Sequence, residues 1–186
     1  MASDGRTQSH TRRVKIEEVI HTVNQMKADG IITNYAIGGA VGATFYLEPV
    51  STLDVDIFIE VHTEPGSTII SLDPIFAYLR ERGCKMEGEY VVISGWPVQF
   101  LPPTGGLIEE ALARAVEVDV QGIPARVFTA EHLGAIALQT GRAKDKARLL
   151  QFIEACALDR SRFEEIISRY GLADQWQKFR QQFLGS

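Results

Sequence analysis

Cysteine is scarce: Cys84 and Cys156 are the two in 186 residues, and they form no C-x-x-C spacing. That excludes a disulfide framework and a thiolate zinc site, and predicts two reduced thiols in or near the core. The four histidines, His10, His21, His62 and His132, show no H-E-x-x-H or other ligand spacing. Positive charge is also short, 19 basic residues against 24 acidic ones for a net charge of −5. A sequence-blind grip on nucleic acid is not expected of such a chain, although a local basic pocket is compatible with it. The polar start has no apolar signal-peptide core, so residues 1–12 are expected to form a disordered leader and the cytoplasm is the expected location. One long uncharged run, Gly30 to Leu47, is interrupted by Gly38-Gly39 and carries Asn34 and two threonines. Two short buried elements joined at a glycine turn explain it better than a membrane span.

What is present is the composition of an ordinary globular protein, with 45% hydrophobic and 23% charged residues. Ile16, Val19, Ile20, Val23 and Met26 recur at helical spacing and predict a helix over Val14 to Ala28. A short strand over Asn34 to Ile37 runs into Gly38-Gly39, then a small helix over Ala40 to Leu47 closed by Pro49. Leu53 to Val61 alternates as a strand. Leu53, Val55, Ile57, Ile59 and Val61 share one face, and Asp54, Asp56, Phe58 and Glu60 share the other. A helix over Asp73 to Arg82 precedes strands at Cys84–Glu87, Tyr90–Ser94 and Val98–Leu101, with a turn at Gly95-Trp96-Pro97. A helix over Leu107 to Ala115 follows, then a strand pair, Glu117–Val120 and Ala125–Phe128, around Gly122. From Thr129 the pattern is helical throughout, including Ala143–Ala157, Ser161–Tyr170 and Ala173–Phe183. The expectation is an α/β (α+β) core over 13–128, a mixed sheet with flanking helices, followed by a helical C-terminal region over 129–186.

The strongest chemical pattern is Gly38-Gly39 followed by Asp54-Val55-Asp56. Residues two apart on a strand project from the same face, so both carboxylates point one way while the apolar face is buried. Two acids held side by side favour a hard cation between them, and Mg²⁺ takes carboxylates together with substrate phosphates. The glycine pair lets the backbone approach a phosphate chain. Arg142, Lys144, Lys146 and Arg148 form a local basic cluster, read either as a solvated helix start or as a phosphate contact. Trp96 and Trp176 are expected to pack rather than stack a base.

Ala36-Ile37-Gly38-Gly39-Ala40-Val41, followed by Ser51-Thr52-Leu53-Asp54-Val55-Asp56-Ile57-Phe58, resembles the nucleotidyltransferase superfamily with the polymerase-β-like fold. Among its groups, the small prokaryotic members, such as the AbiEii-type toxins of toxin–antitoxin pairs and the minimal nucleotidyltransferases, are the most similar. The segment Lys144-Asp145-Lys146-Ala147-Arg148 resembles the basic/acidic helix segment that often follows. The resemblance implies transfer of a nucleoside monophosphate from an NTP to an acceptor hydroxyl. Gly38 and Gly39 would cradle the triphosphate, Asp54 and Asp56 would hold Mg²⁺ (or Mn²⁺), and Lys144 could touch phosphate. Thr52 falls where many relatives place a hydroxyl. The acceptor stays open between a small molecule, RNA and protein.

The chain departs from that pattern at Gln99, which occupies the position where relatives usually carry a third acid. An amide can offer a metal its oxygen but cannot take a proton. Enzyme activity is therefore left open against a second reading, a catalytically retired member that binds a partner or regulates. A dinucleotide fold is a third reading. It fits less well, because Ile37 stands at the first glycine that G-x-G-x-x-G requires.

Overall fold

The computed structural model describes residues 5–48, 52, 54–62 and 70–185, with residues 5–15 given by backbone alone. In chain order the elements are α1 (Gly5–Ala28), β1 (Asn34–Ile37), α2 (Gly39–Ala43), β2 (Val55–Glu60) and α3 (Asp73–Glu81). They continue as β3 (Lys85–Glu87), β4 (Tyr90–Ile93), β5 (Trp96–Leu101), α4 (Gly106–Ala113), β6 (Val116–Val120) and β7 (Ile123–Val127). Four helices close the chain: α5 (Ala130–Thr140), α6 (Ala143–Glu154), α7 (Arg160–Arg169) and α8 (Ala173–Phe183).

The strands form one mixed sheet in the order β3-β4-β5-β2-β1-β7-β6. Two pairings are parallel, β2 with β5 and β1 with β7, and the other four are antiparallel. Alternation decides which residues meet which helices. Val55, Ile57 and Ile59 of β2 join Tyr35 and Ile37 of β1 in a core that also takes Val19, Ile20, Val23 and Met26 of α1 and Ile75 and Leu79 of α3. Asn24 stitches this layer together: its amide donates to the Pro124 carbonyl at 2.7 Å and accepts from the Tyr35 hydroxyl at 2.7 Å.

The opposite face of β1 and β2 is served by a second cluster, in which Ala36 and Phe58 meet Phe128, Ala43, Leu133 and Phe152. The Phe58 and Phe128 rings lie 4.8 Å apart. A third cluster, including Leu149, Phe163, Ile167 and Phe179, binds α5 to α8 together, with Leu107 of α4 inserted. Trp176 packs edge-on against Phe163 at 5.1 Å in that cluster, and Trp96 packs against the sheet core.

Several elements differ from the sequence expectation. The helical backbone of α1 begins at Gly5, so residues 5–12 of the expected leader continue the helix, and no Gly or Pro between Arg6 and Arg13 stops it. Residues 1–4, Pro49, Val50, Ser51 and Leu53 lie outside the described residues. The β4–β5 turn is Ser94-Gly95, with φ of 49° and 82°, the geometry of a two-residue hairpin. Pro97 therefore lies within β5, opposite Val92, rather than in the turn. Helix α6 stops at Glu154, because Cys156 takes a positive φ of 52° and the Ala157 amide bonds back to the Phe152 carbonyl at 3.0 Å. That helix-ending turn leaves Cys156 exposed, against the expectation of a core position. Cys84 is half-buried against the sheet core, and both thiols are free. Among the described residues no helix is long and apolar enough to cross a membrane.

Candidate active site

Asp54 and Asp56 sit at the start of β2, both half-buried, on the face opposite the buried Val55, Ile57 and Ile59. The Thr52 hydroxyl lies 3.3 Å from Asp54 Oδ1 and 3.2 Å from the Asp54 carbonyl oxygen, which ties the approach to β2 to the first carboxylate. The glycine pair meets the second carboxylate directly. Gly38 donates its N–H to the Asp56 carbonyl at 3.0 Å, and a Cβ on Gly38 would lie 2.6 Å from the Phe58 ring. Gly39 has a φ of +56°, and any Cβ there would overlap the Asp56 Oδ2. The turn and the acid strand are thus built against each other, and only glycine fits between them.

Burial, then the neighbouring Asp54, raises the Asp56 pKa above the ordinary carboxylate value. Arg148, Lys144 and Arg142 of the α5–α6 corner oppose that rise, and Phe152 packs α6 against Ala36 and Phe58 on the face of the sheet that carries Asp56. The corner itself is built by Gly141, which caps α5 in the left-handed conformation at φ 67°, with Arg142 as the N-cap of α6. Of the expected basic cluster, Arg142, Lys144 and Arg148 act on Asp56, while Lys146 is not among the charges that do.

Gln99 pairs with Asp56 in the parallel β2–β5 register, so their side chains share one face of the sheet. Val98 and Phe100 beside it are buried on the other face, as alternation predicts. One strand further, the β4–β5 register of Val91 with Val98 brings Tyr90 alongside Gln99. Burial comes first in raising the Tyr90 phenol above its ordinary pKa, followed by the charges of Asp54, Glu89 and Asp56. Tyr90 was not anticipated from the sequence. The Ser94-Gly95 hairpin signal fixes its register once the turn is read as two residues.

Two carboxylates and an amide oxygen make a hard-oxygen donor set, and the space Gly39 leaves by lacking a Cβ is where Asp56 Oδ2 sits. Among the described residues no group of three or more His, Cys, Asp or Glu side chains is gathered to hold a metal. These residues suit an Mg²⁺ that completes its shell with phosphate oxygens and water, rather than a closed protein cage.

The mixed sheet and its flanking helices form a nucleotidyltransferase-like fold. An antigenic nucleotidyltransferase-like protein from Paracoccidioides brasiliensis superposes with a TM-score of 0.60 at 13% identity, over 92% of this chain and 89% of that one. ANT(2")-Ia in complex with adenylyl-2"-tobramycin superposes with a TM-score of 0.51 at 16% identity, over 85% of this chain and 97% of that one. A solution structure of the antibiotic-resistance factor ANT(2'')-Ia gives 0.51 at 12% identity, over 96% and 99%. No protein-family model and no curated protein matches the chain.

Proposed function

We propose that this protein binds an NTP together with Mg²⁺ (or Mn²⁺) and that Asp54 and Asp56 are the metal-holding acids. One observation carries the reading: the carboxylate pair interlocks with the Gly38-Gly39 turn and faces the cations of Arg142, Lys144 and Arg148. A triphosphate is the ligand that uses all three at once, its oxygens meeting the metal, the glycine backbone and the cations. When bound, Mg²⁺ would offset phosphate charge and polarise the reacting phosphorus. Asp54 and Asp56 would hold it, Gln99 could add its amide oxygen, and Lys144 would contact phosphate. Thr52 would keep Asp54 oriented through its hydroxyl.

The reaction assigned to this site is transfer of a nucleoside monophosphate to an acceptor hydroxyl, whether on a small molecule, RNA or protein. Gln99 bears on its rate. The acceptor hydroxyl must surrender a proton, and Gln99 cannot receive one, so transfer is slow or absent. That same residue favours the second reading, a nucleotide-binding protein that no longer catalyses transfer and serves a binding or regulatory role. We assign the protein to the cytoplasm, where NTPs are supplied and the thiols of Cys84 and Cys156 stay reduced.

Calorimetry with each NTP, with and without Mg²⁺, tests the binding step, and Asp54→Asn should remove its Mg²⁺-dependent part. Absence of any NTP binding at millimolar concentration would overturn the nucleotide reading. Incubation with labelled NTPs and a cell extract then separates transfer from binding alone.

A further inference from the structure

We propose that Asp145, together with the two arginines it holds, is the positioning element of the phosphate grip, with Asp145 acting through Arg142 and Arg148. This rests on the nucleotide-binding reading above and adds Asp145, which that reading did not use.

Asp145 is 2% exposed, and it and His132 are the buried polar or charged side chains among the described residues. A carboxylate taken that far from water needs charged partners, and removing them would leave a costly buried charge. Its partners are two arginines on its own helix. Arg142 donates from Nε to Asp145 Oδ2 at 2.6 Å and from its second nitrogen to Oδ1 at 3.3 Å, a two-point contact. Arg148 reaches Oδ1 from the other side at 3.7 Å.

Pairs three residues apart on a helix surface are usually worth little. This one differs because the acid is anchored in the packed interior while the Arg142 side chain stays 60% exposed. The geometry is that of a fixed post with two arms, Arg142 largely exposed and Arg148 largely covered. Phe152 packs α6 against Ala36 and Phe58, on the sheet face that carries Asp56, and the charges of both arginines bear on that carboxylate.

Charge balance gives the arms their purpose. Arg142, Lys144 and Arg148 match Asp54, Asp56 and Asp145 in number, so the formal charges of these six side chains cancel. A dication on Asp54 and Asp56 releases the cations from that duty and leaves a surplus of two positive charges beside the metal. Guanidinium forks in fixed orientation suit the paired oxygens of a polyphosphate, and their planar donors lose little freedom on binding. Asp145 keeps the forks preorganised, which is where its effect on affinity arises.

The decisive test uses a sign. Asp145→Asn removes a negative charge next to the proposed phosphate site, so charge alone would tighten anion binding, whereas positioning weakens it. Calorimetry of the full-length protein with Mg²⁺–ATP and with Mg²⁺–tripolyphosphate should show about tenfold weaker binding for Asp145→Asn, on the scale of one lost charged hydrogen bond. Asp145→Glu should recover part of it. Arg142→Gln should weaken both ligands and also lower the melting temperature, since it leaves the buried Asp145 with Arg148 alone, and Lys146→Gln should leave binding and melting temperature as in the wild type. If Asp145→Asn fails to fold, Arg142→Gln and Arg148→Gln decide the matter. A wild type that binds ATP while Asp145→Asn binds as well or better, or while Arg142→Gln is unchanged, overturns this assignment alone. A wild type that binds neither ligand overturns it together with the nucleotide reading.

Discussion

Gln99 stands directly beside Asp56, residue for residue, in the parallel pairing of β5 with β2. The amide is thus placed where a third carboxylate would complete a ring of acids on one sheet face. Gln99→Asp should lower the melting temperature of the metal-free protein, because a third negative charge joins a pair in which Asp54 already raises the Asp56 pKa. With Mn²⁺ and nucleotide present, the same variant should bind metal more tightly than the wild type. A competent site gaining a proton acceptor could gain about 10²–10⁴-fold in any transfer rate. Titrating Mn²⁺ by its paramagnetic signal checks the metal arm, and unchanged affinity would remove Gln99 from the site.

Gly39→Ala should damage both stability and metal binding. The left-handed backbone alone costs a non-glycine residue about 1–2 kcal/mol, and the added methyl would displace the Asp56 carboxylate. Gly88→Ala is the matched control, since Gly88 also has a positive φ, of 64°, but has nothing within 4 Å of its Cβ position. Urea denaturation of the two variants should show the larger loss at Gly39, and Mg²⁺-dependent nucleotide binding should survive in Gly88→Ala.

The junction of α4, α5 and α7 should make the fold acid-sensitive. His132 is 3% exposed, with Nδ1 2.8 Å from the Thr129 hydroxyl and Nε2 3.6 Å from Glu110. Burial, outweighing Glu110, lowers its pKa below the ordinary 6.5. Glu110 is drawn from 4.5 to about 2, first by its hydrogen bond from Arg169 and further by the one from Tyr170, against the opposing effect of burial. Both shifts have the unfolded chain binding more protons than the folded one, so stability rises with pH. The His132 contribution is present above about pH 6.5 and fades as pH falls through its depressed folded value. The Glu110 contribution is present above pH 4.5 and is lost toward pH 2. Unfolding free energies at pH 7.5, 5.5 and 4 should therefore decline in that order, and Glu110→Gln should flatten the lower limb. A pH-independent stability across that range would contradict the arrangement.

Phe152→Ala should cost about 3–5 kcal/mol. The ring is fully buried in the cluster that joins α6 to Phe128, Ala43 and Leu133, and lies 6.4 Å from the Tyr46 ring. Because this cluster sets α6 against the carboxylate face, Phe152→Leu should keep nucleotide binding while Phe152→Ala loses it together with stability. Thermal melts with and without Mg²⁺–ATP measure both.

Local patterns in the sequence carried much of this architecture. The alternation through Val55, Ile57 and Ile59 placed Asp54 and Asp56 on one face correctly, and Val98 and Phe100 did the same for Gln99. Helix α8 runs over the expected Ala173–Phe183, since its apolar spacing is regular and Gly171 precedes it. Strand order was not legible, because parallel pairing of β2 with β5 and of β1 with β7 depends on contacts between distant segments. The choice between the two readings of Arg142 and Arg148, solvated helix start or phosphate contact, stayed open for the same reason. A basic helix start looks alike whether it faces solvent or a carboxylate pair, and the buried Asp145 that distinguishes them is visible only once α6 is packed.

The two parallel pairings also set the order in which the chain can be completed during synthesis. β1 meets β2 early, but its other edge waits for Val127, the partner of Ile37, and the carboxylate strand waits for β5. A nascent chain that ends before β7 exposes the Ile37 edge as an unpaired row of backbone donors and acceptors, open to strands from other chains. The α6 cations arrive later still, so Asp54 and Asp56 spend the first part of the protein's life without the charges that balance them.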